Sequence, residues 1–410
     1  MTARTACADL PTFTVSPADD SFCQNPYPVY RQMRDLGPAF FWRDYGHVTF
    51  AGYEEVNALL RDRRFGREIT HIMAREEAGL PPIPEHLEPF YAFEANSMLE
   101  REPPAHTRLR TLVTRAFVSR NIARLTPQIE TLANELIEAF PAGEFDLLPS
   151  FCEKIPVFVI ADLLGVPRDM ADQLLEWSHA MVAMYQFNRD RAAEDRAVEA
   201  MNAFSAYVQK VAGERRKKPR NDLITALVEA RDSGNRLSEQ ELVTTVILLL
   251  NAGHEATVHA LGNAIKALLE TNMGSDSRFG DPEHLPDQVE ELLRFDPPLH
   301  LFNRFVLEDC TFAGVRLQQG QSVGLLLGSA NRDPRRYPSP DRLDFVRGGK
   351  GHVAFGAGIH FCLGAPLARL EISAALPLLF NRLPDLHIIE NPVYADRYHF
   401  HGLKKLMVAG

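Results

Sequence analysis

Long apolar runs are missing from this chain. The longest reach only roughly ten residues, too short to span a bilayer, and Met1 to Asp20 carries acids and prolines with no apolar core of a signal peptide. Cysteine is scarce and unpaired in spacing. The five residues (Cys7, Cys23, Cys152, Cys310, Cys362) are odd in number and scattered, which fits a reducing cytoplasm better than a disulfide framework. A basic surplus is also lacking: 44 Lys and Arg against 54 Asp and Glu give a net charge of -10, which speaks against nucleic acid as a partner. There is no internal repeat, low-complexity tract or long linker. No glycine-rich phosphate motif sits in a βαβ setting, so no flavin or nicotinamide domain is fused to the chain.

What remains is the composition of an ordinary globular protein, with 45% hydrophobic and 24% charged residues over 410 positions. Phe40 to Phe50 reads as a β-hairpin and Tyr53 to Leu60 as a short helix. Phe65 to Leu99, interrupted by Pro81, Pro82, Pro84 and Pro89, reads as an irregular loop. Thr126 to Phe140, Glu153 to Leu164 and Met170 to Ala212 carry amphipathic helical periodicity. Met181, Met184, Tyr185 and Phe187 are most simply core, and Arg215 to Arg220 reads as a solvated basic turn. Ser238-Glu-Gln-Glu241 is a capping box opening a long apolar helix to about Glu270, some ~45 Å at 1.5 Å per residue. Cys310 to Gly328 reads as β-strands.

Chemistry concentrates in a few stretches. Phe355-Gly-Ala-Gly-Ile-His-Phe-Cys362-Leu-Gly-Ala-Pro366 is a glycine-loosened loop that delivers one cysteine to a helix N-terminus, where dipole and amides favour a thiolate. A lone cysteine in an apolar loop is most often a small buried hydrophobe. A zinc site from His352, His360 and Cys362 lacks the paired ligand spacing. His106 and Arg110 lie four apart and share a helix face behind Pro103 and Pro104, which in isolation suits a solvated pair. Gly253 and Glu255 fall mid-way along the long helix, where both are costly unless packed or paired. Glu291 and Arg294 lie three apart, the spacing of a common ion pair.

Taken together, Phe355, Gly358, His360, Cys362 and Gly364 resemble the haem-binding loop of the cytochrome P-450 family. Pro-Pro-x-His-x-Arg-Leu-Arg at 103–110 resembles its C helix, Asn251 to Thr257 its I-helix signature, and Glu291, Arg294 and Arg342 its Glu-Arg-Arg network. The resemblance implies a mainly α, single-domain fold over 1–410, with β-rich portions near 40–50 and 305–330, a central helix about 238–270 and a haem-thiolate loop at 355–364. It further implies haem b with the thiolate of Cys362 on the iron, and His106, Arg110, Arg304 and His360 as cofactor contacts. Such a thiolate favours O–O cleavage. Gly253 would make room for dioxygen, and Leu299 to Phe302 would face the substrate.

Glu255 matches the family's acid, but its usual alcohol position is Ala256, whose methyl group relays no proton. Ordered water, Thr257 or a substrate hydroxyl is then expected to serve. The implied activity is a monooxygenase placing one oxygen atom into a C–H bond of a largely apolar small molecule. Electrons would come from NAD(P)H through a separate ferredoxin-type donor and its reductase, in the cytoplasm and without membrane insertion. Arg108, Arg115, Arg335, Arg336 and Lys350 would present a basic docking patch to that donor. A peroxide-driven, C–C coupling or desaturating thiolate-haem enzyme stays open beside it, as does a haem sensor.

Overall fold

The structure is a computed structural model that describes residues 10–117, 122–186, 189–230, 236–276, 278–396, 398 and 400–410. Its spine is the helix Glu239–Glu270. Ser238 accepts from the Glu241 amide at 3.2 Å while Glu241 accepts from the Ser238 amide at 2.8 Å, so the expected capping box forms. The helix buries side chains on every face, among them Leu242, Val246, Leu250, Val258, Leu261 and Ile265. Such a helix is stable only when other elements surround it.

Those elements follow from the amphipathic stretches. In chain order they are α1 (Ala105–Ala116), α2 (Lys154–Leu164), α3 (Ala171–Val182), α4 (Arg191–Lys217), the central α5 (Glu239–Glu270), α6 (Leu285–Phe295) and α7 (Ala365–Arg382). Helices α2, α3, α4, α6 and α7 all pack on α5. The stretch expected as one helix from Met170 to Ala212 is two. A 3-10 turn at Ala183–Tyr185 closes the first, and Asp190 restarts the second by accepting from the Ala193 amide at 2.8 Å. Met181 and Met184 are core as expected, Tyr185 is partly exposed, and Phe187 lies outside the described residues.

The basic turn is also corrected. Helix α4 continues through Lys217, and Arg215 is buried, bonding Asp222 at 2.5 Å and the Gly165 carbonyl at 2.7 Å. The stretch 65–99 contains a helix, Glu88–Glu94, with Pro89 in its first turn.

A six-stranded sheet stands beside the helices: β1 (Thr12–Phe13), β2 (Phe40–Trp42), β3 (His47–Phe50), β4 (Phe65–Gly66), β5 (Leu301–Val306) and β6 (Ser322–Leu326). Its spatial order is β1-β2-β3-β6-β5-β4. The expected hairpin pairs Phe41 with Val48, and β3 then runs parallel to β6 with Thr49 beside Gly324. Strand β5 is antiparallel to β6, with Arg304 opposite Val323. This register points Arg304 inward on a rigid element. No helix among the described residues is long and apolar enough to cross a membrane.

Candidate haem-thiolate site

The loop before α7 is closed by the Cys362 amide donating to the Phe355 carbonyl at 3.0 Å. Gly356 and Gly358 take φ of 67° and 71°, the left-handed region in which L side chains are strained. At Gly358 a Cβ would also lie 2.2 Å from the Leu60 carbonyl, so glycine is needed for close approach to the helix Tyr53–Arg61. Burial pushes the Cys362 thiol up; the amides of Gly364 and Ala365 and the charges of Arg110 and Arg369 offset only part of this. The helix N-terminus alone therefore does not make the thiolate. A metal ion bound at Cys362 would, because coordination deprotonates a thiol outright. The zinc grouping does not assemble: His352 faces Glu290 at 3.3 Å and His360 faces Glu102 at 3.2 Å.

Around this loop the structure gathers basic side chains from α1, from β5 and from the loop itself. The His106 and His360 rings lie 4.4 Å apart, and Arg110 donates to the Phe361 carbonyl at 2.8 Å. Arg304 is only 4% exposed, yet its guanidinium donates only to the neighbouring Asn303 carbonyl, at 2.8 Å, and has no ion pair among the described residues. Burial, followed by repulsion from Arg67, pulls its pKa down to about 9. Nε2 of His106 is buried without a hydrogen-bond partner. Burial, then the His360 and Arg110 charges, lower its pKa to about 4, so the ring stays neutral.

Sequence reasoning passed over two more members. Arg67 pairs with Glu100, and its amide donates to Glu102 at 2.6 Å. Glu102 opens the motif ahead of α1, but Arg67 carries no motif. Only the pairing of β4 with β5 brings it near Arg304.

The scaffold beneath the loop is fully buried. Arg294 forks onto Glu291 at 2.7 and 2.8 Å and donates to the carbonyls of Asn331 and Pro340. The third arginine is not Arg342, whose side chain is 75% exposed, but Arg347, which reaches Glu291 at 2.9 Å. Ser339, at φ 50°, and Gly348, at φ 69°, bracket the segment that carries both arginines. Asn331 then links this network to the loop, its side-chain oxygen accepting from the Val353 amide at 2.8 Å.

On α5, Ala252 is exposed and Ala256 half-buried although both lie near the middle of the central helix. One turn links them, so one stripe of the helix is open. Gly253 does not face it: a Cβ there would meet Ile160 of α2 at 3.2 Å, which makes this glycine a packing notch. Thr257 is buried and its hydroxyl donates to the Gly253 carbonyl at 3.2 Å. Glu255 lies 3.3 Å from both His179 and His254 and 3.8 Å from His259. Burial pushes its pKa up, but its pairing with these histidines, His179 foremost, outweighs that and holds the carboxyl well below the usual range.

Of Leu299 to Phe302, only Leu299 and Phe302 are partly open. His300 turns away to meet the Tyr30 hydroxyl at 2.8 Å, and Leu301 is buried. The basic patch is largely neutralised: Arg108 pairs with Glu241, Arg335 with Asp333 and Glu55, and Lys350 with Asp287.

A cysteine loop, a buried cation cluster and a central helix in this arrangement define a haem-thiolate protein. The cytochrome P450 family profile matches residues 81–272 and 283–384, and the chain belongs to that family. It is 35% identical over 404 residues to the polyketide biosynthesis cytochrome P450 PksS of Bacillus subtilis, covering 96% of this chain and 98% of that one. It is 36% identical over 397 residues to the vitamin D(3) 25-hydroxylase of Pseudonocardia autotrophica, covering 95% and 94%. A solved structure of P450BioI in complex with hexadec-9Z-enoic acid ligated acyl carrier protein superposes with a TM-score of 0.88 at 32% identity. That match spans 96% of this chain and 100% of the other. The chain is thus a cytochrome P450 monooxygenase, a haem enzyme whose iron carries a thiolate.

The residues present fit such a group. A Cβ on Gly364 would meet only the Cys362 sulfur, at 3.9 Å, leaving space over the thiol. Arg304, with no ion pair among the described residues, and Nε2 of His106, buried without a hydrogen-bond partner, face an anionic ligand edge.

Proposed function

We propose that this single domain, 1–410, binds haem b through the Cys362 thiolate and inserts one oxygen atom from dioxygen into a C–H bond of a largely apolar small molecule. The haem supplies oxygen activation when bound, helped by the electron push of its thiolate. His106, Arg110, Arg304 and His360 would hold its two carboxylates. Arginine suits that task because its planar fork matches a carboxylate. The observation that carries this reading is the buried, unpaired guanidinium of Arg304 beside the cysteine loop, because a buried charge is costly without a counterion.

Glu255 is proposed as the proton carrier on α5, with the half-exposed His179 as its contact to solvent. Thr257 is a weak substitute for the absent alcohol, since its hydroxyl is already bonded to Gly253. A water molecule or a substrate hydroxyl completes the relay. Gly253 assists by close packing, and its expected role beside dioxygen is kept only through its carbonyl.

Electrons would come from NAD(P)H through a ferredoxin-type protein and its reductase in the cytoplasm. The relatives' names, a polyketide enzyme and a vitamin D(3) hydroxylase, support an apolar, multi-carbon substrate. Ala256 sustains the second reading, a thiolate-haem enzyme that couples or desaturates.

The test is the reduced, carbon-monoxide-bound difference spectrum. The wild type is expected to show a red-shifted Soret band that Cys362→Ala abolishes. A band that survives the substitution, or a wild type with none, would overturn the assignment.

A further inference from the structure

The histidines around Glu255 form a second donor set, separate from the cysteine loop. Nε2 of His179 and Nε2 of His254 each lie 3.3 Å from the same carboxylate oxygen, Oε2 of Glu255. All three ligand atoms lie within 4.8 Å of one another. Bonds of ~2.0–2.1 Å around tetrahedral zinc put neighbouring ligand atoms about 3.3–3.4 Å apart. Two edges of such a tetrahedron are therefore already in place. The third, within 4.8 Å, closes by a rotation of the His179 side chain, which is 54% exposed.

His254 is prepared for a metal in another way. Its Nδ1 donates to the Leu250 carbonyl at 3.0 Å, which fixes the ring with Nε2 toward Glu255. A second hydrogen bond that fixes the ring's tautomer is a general feature of ligating histidines. That Nε2 belongs to a side chain with no exposed surface and has no hydrogen-bond partner. Glu153, just ahead of α2, is a further carboxyl within electrostatic reach of His179, Glu255 and His259, with its pKa raised chiefly by burial.

We infer that His179, His254 and Glu255 bind a divalent transition-metal cation, zinc fitting best, which clamps α3 to the central helix α5. Two imidazoles and one carboxylate suit zinc, copper or nickel and do not suit magnesium or calcium. Three protein ligands leave a fourth position for water on the exposed His179 side. The metal takes up Oε2 of Glu255, and where Glu255 carries protons as proposed above, occupancy is inhibitory. The other described cluster, Asp296, His300 and His401, is a poorer candidate. It is fully buried, and Asp296 already accepts from the Tyr27 and Tyr394 hydroxyls.

The experiment is calorimetric titration of zinc chloride into chelator-treated, haem-loaded protein, with magnesium chloride as the control. One zinc per chain is expected in the wild type and in His387→Ala, an exposed histidine outside the cluster. Outer partners of metal sites cost ~10–100-fold in affinity when lost, so His179→Ala should weaken binding by at least ~10-fold. His179→Cys should restore it. Zinc should also slow amide exchange across 171–182 in the wild type and not in His179→Ala. An unchanged affinity in His179→Ala, or a wild type that takes up no zinc, would overturn the proposal, and both readouts stand whatever the enzyme's reaction is.

Discussion

Replacing Arg294 with methionine removes a guanidinium with no exposed surface and strands the Glu291 carboxylate, which is equally buried. The remaining partners of Glu291 are Arg347 at 2.9 Å and the Asp344 amide at 2.9 Å. Breaking a buried pair by removing one member costs ~3–5 kcal/mol. Unfolding entropy of ~2.1 cal/mol/K per residue gives about 0.86 kcal/mol/K for this chain of 410 residues. The melting temperature of Arg294→Met should therefore fall by about 3–6 °C. Arg347→Ala deletes one charged hydrogen bond to the same carboxylate, worth ~1.5–3 kcal/mol, and should lower it by about 2–3 °C. Arg342→Ala removes an exposed side chain 3.4 Å from Asp344 and should shift it by less than ~1 °C. Differential scanning calorimetry of the three haem-loaded variants at one scan rate decides the matter. If Arg342→Ala proves as costly as Arg347→Ala, or Arg294→Met costs less than ~1 °C, the burial argument fails.

Two further outcomes are expected. Burial lowers the pKa of His47 to about 4, against an ordinary 6.5. The unfolded chain thus binds the proton first, and this contribution is fully present above pH 6.5 and is lost as pH falls toward 4. Between pH 7 and 5 it removes ~1.8 kcal/mol, so acidification should lower the melting temperature of wild type by about 2 °C more than that of His47→Gln. An identical pH dependence would count against it. Ala256→Thr restores a hydroxyl on the open stripe of α5 and should raise the product formed per NAD(P)H consumed. No gain would show that protons already arrive by another route.

The cysteine loop was readable in the sequence because its requirements are local. Gly356 and Gly358 need left-handed backbone, and Cys362 needs a fixed distance from the start of α7. The capping box was readable for the same reason. What escaped was settled by distant chain. Arg342 and Arg347 are equally basic and close in sequence, and only the path of the intervening turn buries one of them. Arg215 lies in a run that looks solvated, and only Asp222 and the Gly165 carbonyl reveal that it is buried. Arg108 and Arg335, expected to dock a donor, pair with Glu241 and Glu55, which no local pattern assigns to them. Gly253 was read toward the site, whereas its missing Cβ faces Ile160.

The convergence of partners on the cysteine loop has a consequence for how the enzyme comes into being. His360 meets Glu102 across 258 positions of sequence, and Phe361 meets Arg110 across 251. Contacts of that separation are slow to form, because a long loop must close before they give anything back. A nascent chain on the ribosome holds α1 and β4 long before residue 362 emerges, so the binding cleft cannot exist until the cysteine loop has been made. Haem uptake then waits on that closure, and its yield in an expressing cell reports on whether these two distant segments found each other.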